Sequence, residues 1–168
     1  VQGGWYFPES AVVDDEVLAK VREVAPLAPL HNYAEADVVE ICRDMFPEIG
    51  NVIVPDTAFR YNMPEHAWRY ALPRDVVEKL HVRKYGAHGT SHRFIWRATN
   101  EFLGGDVHKL VSLHLGSGAS LCAIEDGKCM DTTMGLTPLD GLIMGTRCGT
   151  LDPATVFFLS REGGYSID

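Results

Sequence analysis

Positive charge is scarce in this 168-residue chain: 15 Lys and Arg stand against 23 Asp and Glu, for a formal net charge of −8. Nonspecific nucleic-acid binding needs a cationic face, so that class of function is disfavoured. No basic stretch interleaves with aromatics as a single-strand binder would require. No run of about 20 apolar residues is present to span a bilayer, and nothing has the layout of a signal peptide. The four cysteines, Cys42, Cys122, Cys129 and Cys148, include no C-x-x-C pair. Neither a zinc site nor a dithiol redox motif is indicated, and free thiols point to a reducing, cytoplasmic setting. Also missing are the G-x-S-x-G elbow of serine hydrolases and the Gly-Lys-Ser/Thr of P-loops. His88 and His92 have the spacing of a zinc helix but lack the Glu of H-E-x-x-H.

What is there belongs to an ordinary globular protein, with 46% hydrophobic and 23% charged residues. The length suits one domain or parts of two. Val1-Gln-Gly-Gly reads as a strand running into a turn with no lead-in, so a piece of a longer chain is expected. Asp14 can cap a helix with Val17, Leu18, Val21 and Val24 on one face, stopped by Pro26 and Pro29. A second helix is predicted over 34–45. Residues 51–54 read as a short buried strand that delivers Asp56 at its end. Around Pro64 and Pro73 an irregular connection with a short helical piece is expected.

A helix over 91–103 follows, with Phe94, Ile95, Ala98 and Phe102 on one face and Gly104-Gly105 as its stop. Then come a strand (110–114), a Gly-Ser-Gly turn, a strand (120–124), an Asp126-Gly127 hairpin turn and a strand from about Cys129. Asp152-Pro153 opens a last helix. A meander with a phosphate-sized glycine turn in its first hairpin resembles the front half of an actin-like ATPase domain. Trp5, Trp68, Trp96, Met130 and Met134 read as packing residues.

The chemistry concentrates in two stretches. In His114-Leu115-Gly116-Ser117-Gly118, glycine permits positive φ and close approach, and successive N–H groups can form an anion nest. A lone G-x-G is more often an ordinary β-turn, but the histidine loop just before it favours phosphate. His88, between Ala87 and Gly89, precedes a helix N-terminus and could hydrogen-bond a phosphoryl group, or simply a backbone carbonyl. His92 reads as a brace for that loop. Arg147 lies in a glycine-flanked turn where a guanidinium could grip phosphate or carboxylate. Asp56 could hold a water on a metal ion or cap the next turn.

Together these residues resemble the acetokinase family of the actin, sugar kinase and Hsp70 superfamily, over nearly the whole chain. The resemblance is carried by Gly3-Gly4, Asp15-Glu16-Val17-Leu18, Leu27 to Asn32, Asp56-Thr-Ala-Phe59, Met63-Pro64, Tyr85 to His92, His114 to Ser120, Asp131 to Gly135, and Thr137 to Gly149. It implies an α/β, ribonuclease H-like fold of two domains with mixed sheets flanked by helices. Residues 1–57 would end the first domain and 58–168 would begin the second, nucleotide-binding one. Family members are more than twice as long, so this segment alone is expected to be inactive.

The implied reaction is reversible phosphoryl transfer from ATP to acetate, giving ADP and acetyl phosphate. Propionate, butyrate, another donor such as pyrophosphate, or a non-catalytic paralogue are the alternatives. By the same resemblance Asp56 orients the carboxylate and holds Mg²⁺ through water, and His88 stabilises the transferring phosphoryl group. Arg147 binds the acyl substrate, residues 114–118 bind nucleotide phosphates, and Val1 and Pro138 wall the acetate pocket. A homodimer is implied as well, with no nucleic-acid or membrane partner. The chain departs from the family pattern at Gln2 (usually His), Trp5 (Glu), Tyr33 (Pro), Pro55 (Phe), Arg60 (His) and Ser117 (Asn), which bears on donor preference and rate.

Overall fold

A computed structural model describes residues 1–166; Ile167 and Asp168, the end of the expected second domain, lie outside the described residues. Helix α1 (Asp15–Glu23) is capped as anticipated, Asp14 accepting the Val17 N–H at 2.8 Å. Acidic residues fill its first turn and basic ones its last, complementing the helix dipole. Helix α2 (Asn32–Met45) begins two residues earlier than its apolar pattern indicates. The reason is Asn32, whose buried amide accepts the Gln2 N–H at 2.7 Å and donates to the Gln2 carbonyl at 2.9 Å. Sequence periodicity cannot see a helix start held by a segment thirty residues away.

Strand β1 (Ala11–Val12) pairs antiparallel with β2 (Val52–Ile53). The expected buried strand over 51–54 is therefore shorter and only half buried. Ile53 faces the core, while Val52 and Val54 are exposed because a two-stranded ribbon covered on one side buries alternate residues. Val1 does not form a strand, but its carbonyl accepts the Asp56 N–H at 2.8 Å, tying the two segments together ahead of the turn at Gly4. Phe7, Leu18, Val21, Ala36 and Ile53 make the first core cluster.

Residues 58–80 form a 3-10 turn (Ala58–Arg60), α3 (Glu65–Trp68) and α4 (Arg74–Leu80). Helix α5 (Gly89–Phe102) follows, two residues longer at its start than expected. The face that Phe94, Ile95 and Phe102 share is turned outward: Phe94 is 67% and Phe102 87% exposed, whereas His92 is fully buried. Strands β3 (Lys109–Leu115), β4 (Ala119–Glu125) and β5 (Lys128–Thr132) form an antiparallel meander in the anticipated order. The Asp126-Gly127 turn has φ of 48° and 77°, the left-handed pair that a tight hairpin requires.

Met63, Cys122, Ile124 and Cys129 form the second core cluster, with Trp68 and Trp96 packed on it. Trp5 instead stacks on the His81 ring with centroids 4.4 Å apart. Met134 is buried, as a packing residue should be. Cys122 and Cys129 are seven apart in sequence, yet the β4–β5 hairpin brings their sulfurs to 3.3 Å. Helix α6 (Pro153–Glu162) is capped by Asp152, which accepts the Ala154 N–H at 2.9 Å. No helix among the described residues is long and apolar enough to cross a membrane.

Candidate active site

Asp56 sits where the first cluster meets α5. Its carboxylate accepts the His88 N–H and, at 3.4 Å, the Thr90 N–H, while its carbonyl accepts the Gly89 N–H at 2.8 Å. The residue thus caps a helix, though not the next turn of its own segment; it caps α5, more than thirty residues on. A carboxylate at a helix N-terminus is favoured by the unpaired N–H groups and the dipole there. Each carboxylate oxygen keeps further acceptor capacity.

His88 occupies the cap position of α5 with φ 63°, a left-handed conformation uncommon for a residue with a Cβ. Such outliers persist where the surroundings over-determine them, commonly at functional sites. Its Nδ1 lies 2.9 Å from Ser120 Oγ, and its ring stacks on His114 at 4.0 Å between centroids. Ser120 Oγ also lies 2.9 Å from His92 Nε2, and His92 Nδ1 is 2.9 Å from Ser112 Oγ. His92 therefore braces the site from beneath, through two strand serines.

Burial, together with the neighbouring His114, Arg60 and Arg147, pushes His88 down to about 4, with Asp56 opposing. Burial and Arg60 push His92 down to about 3. Arg60 is itself fully buried, and its three guanidinium nitrogens have no hydrogen-bond partner among the described residues. Both histidines are thus neutral at pH 7. As pH drops from about 6.5 toward 4, the unfolded chain takes up protons that the folded chain refuses, so stability falls. His108, exposed and paired with Asp126, works weakly in the other direction. The urea midpoint of the full-length protein is expected to drop between pH 7 and pH 5; an unchanged midpoint would contradict the burial of uncharged imidazoles.

The glycine turn closes the other side. Gly116 and Gly118 do not adopt positive φ, contrary to the reason their presence suggested; Gly86, at 67°, does. Gly118 is needed for space: a Cβ there would stand 3.1 Å from His88 Nε2 and 3.5 Å from Arg147 Nη1. The amides of Ser117 and Gly118 have no acceptor among the described residues, which leaves two N–H donors at the turn. Arg147 is held by donating from Nη1 to the Pro138 carbonyl at 3.1 Å.

One cleft of about 340 Å³ is lined by Asp56, His88, Arg147, Ser117, Gly118, Val1 and Pro138. These seven come from six separate stretches of sequence. His114, Leu115 and Gly116 do not line it. His114 supports His88 from behind and holds Ser91 Oγ at 3.0 Å; Leu115 points outward and is exposed. Missed from sequence were Thr57, Gly86, His31 and Glu35, which also line the cleft. His31 and Glu35 stand at the start of α2, where the available signal was the Leu27 to Asn32 stretch that carries part of the family resemblance. No cluster of three or more His, Cys, Asp or Glu suited to a metal exists among the described residues. Asp56 offers a single carboxylate, the kind of partial site that suits Mg²⁺ bound mainly by water and substrate phosphates.

Comparison with known proteins gives a consistent answer. The model of the acetokinase family matches residues 1–168. Acetate kinase 2 of Clostridium perfringens is 50% identical over 99% of this chain and 42% of its own length. A crystal structure of a propionate kinase from Francisella tularensis superposes with a TM-score of 0.93 at 43% identity, over 99% of this chain and 44% of that one. The acetate kinase of Porphyromonas gingivalis gives 0.90 at 46% identity, over 98% and 42%. The chain thus spans well under half the length of the relatives it matches.

Proposed function

The chain belongs to the acetokinase family and has the actin-like α/β fold of its solved members, and on that premise we propose that the full-length protein is a carboxylate kinase converting ATP and acetate to ADP and acetyl phosphate, reversibly. The observation that carries this reading is the convergence of Asp56, His88 and Arg147 on one cleft beside the Ser117-Gly118 turn. A carboxylate oxygen attacks the γ-phosphorus, a new O–P bond forms, and the bond to the β-phosphate oxygen breaks with its electron pair leaving on ADP. Such transfer depends on positioning and charge stabilisation. Arg147 is set to meet the acyl carboxylate and the growing equatorial charge. His88 adds a neutral donor, and the free amides of Ser117 and Gly118 receive phosphate oxygens. Val1 and Pro138 supply a small apolar wall for the methyl group. Asp56 would hold Mg²⁺ through water; when bound, the ion neutralises charge on the β- and γ-phosphates.

The two core clusters, one drawn from residues 7–53 and the other from 63–129 with their packed neighbours, support a domain division after Asp56-Thr57. Cysteines present as thiols fit the cytoplasm. A homodimer belongs to the same proposal, and the exposed Phe157 and Phe158 of α6 offer apolar surface for contact. The likeness to a propionate kinase keeps a longer acyl chain as the second reading. The deciding experiment is a hydroxamate assay on the full-length protein with Mg-ATP or Mg-pyrophosphate and acetate, propionate or butyrate. Acyl phosphate from acetate at the highest kcat/KM is the expected result. No acyl phosphate from any pair, with ATP still bound, would replace the kinase by a non-catalytic paralogue.

A further inference from the structure

Behind His88 runs a chain of hydrogen bonds that ends in the core. Ser112 Oγ meets His92 Nδ1, His92 Nε2 meets Ser120 Oγ, and Ser120 Oγ meets His88 Nδ1, each at 2.9 Å. Distances alone do not say which atom of each pair carries the hydrogen. The direction is set at the buried end. Ser112 is 3% exposed, and its hydroxyl has one partner among the described residues, the His92 ring. If His92 donated to it, the serine O–H would be left buried with no acceptor, the costlier way to leave a group unpaired. Ser112 therefore donates to His92 Nδ1.

The remaining protons follow one by one. His92 accepts on Nδ1 and so carries its hydrogen on Nε2, which it donates to Ser120 Oγ. Ser120 is fully buried and accepts from His92, so its own hydrogen goes to its other partner, His88 Nδ1. His88 is left with its hydrogen on Nε2, the atom that faces Gly118 at the cleft. The opposite orientation would present a lone pair there, which would repel phosphate oxygens. His88 Nε2 is thus a donor before any substrate arrives.

We propose that Ser112, His92 and Ser120 are positioning residues that lock His88 into the Nε2–H form, so that the cleft offers an N–H donor to an anionic oxygen. Their catalytic consequence rests on the kinase reading above, whereas the tautomer does not. The test is a long-range ¹H–¹⁵N correlation spectrum of the full-length protein labelled at histidine, without substrate, with peaks assigned by single replacements. Both His88 and His92 are expected as Nε2–H imidazoles at neutral pH. A wild-type His88 carrying its hydrogen on Nδ1 overturns the proposal, whether or not the protein makes acyl phosphate and whether or not any variant folds. Ser120→Ala is expected to mix the His88 tautomers and lower kcat ~10-fold with KM for acetate little changed. Wild-type kcat in a folded Ser120→Ala protein removes the catalytic half of the proposal. A protein that shows the expected tautomers but no kinase activity leaves the relay standing and removes the kinase reading.

Discussion

Arg147→Ala in the full-length protein is expected to lower acetyl phosphate formation by ~10²–10³ in kcat, the range for removing one preorganised charge-stabilising donor. The guanidinium is already held by the Pro138 carbonyl at 3.1 Å, so it meets the transition state without first being ordered. Arg147→Lys should recover little, because a point charge cannot reproduce the planar two-pronged contact with a carboxylate or phosphate. His88→Ala should cost a similar factor, since His88 Nε2 and Arg147 Nη1 both crowd the space that a Cβ on Gly118 would fill, at 3.1 and 3.5 Å from it. The two losses are expected to be less than multiplicative, because residues that act as a unit do not contribute independently. Steady-state rates with Mg-ATP and acetate decide it. Wild-type turnover in both alanine variants would strip these residues of their proposed roles.

The second large effect is structural. Gly89→Ala would set a Cβ 2.2 Å from the Asp56 carbonyl oxygen and 3.1 Å from Phe59 Cβ. The Gly89 N–H already binds that carbonyl at 2.8 Å, so the two backbones are stitched at the point of collision. A backbone atom cannot swing aside as a flexible side chain can. The expected cost is ~3 kcal/mol, at the upper end of overpacking penalties, with α5 pushed away from Asp56 and the cleft spoiled. Gly50→Ala is the matched control: nothing lies within 4 Å of its Cβ, so its effect should stay within about 0.5 kcal/mol. Urea midpoints of the two variants should differ clearly; equal midpoints would contradict the close approach at Gly89.

Helix α5 illustrates how far pattern reading reaches. Its existence and its glycine stop were legible, because propensity and turn chemistry act locally. Its inward face was not. The Phe94, Ile95, Phe102 stripe is exposed, and the polar edge bearing His92 is inside, because Ser112 and Ser120 on the adjoining strands satisfy the imidazole on both nitrogens. Asp56 shows the same limit. Its position after a β-branched run marked it as a site residue, but its cap on α5 depends on contacts no spacing encodes.

The order of elements from α5 to α6, the helix caps at Asp14 and Asp152, the Asp126-Gly127 turn, and the residue types of the site were all written in the chain itself. They follow from φ preferences, capping and apolar period, which act over a few neighbouring residues. The folded arrangement alone decided that Asp56, His88 and Arg147 share a cleft, that His114 and Leu115 stand outside it, and that buried serines orient its histidine. Those outcomes depend on which distant groups must find hydrogen-bond partners once water is excluded, and that pairing is settled only when the strands and helices pack together.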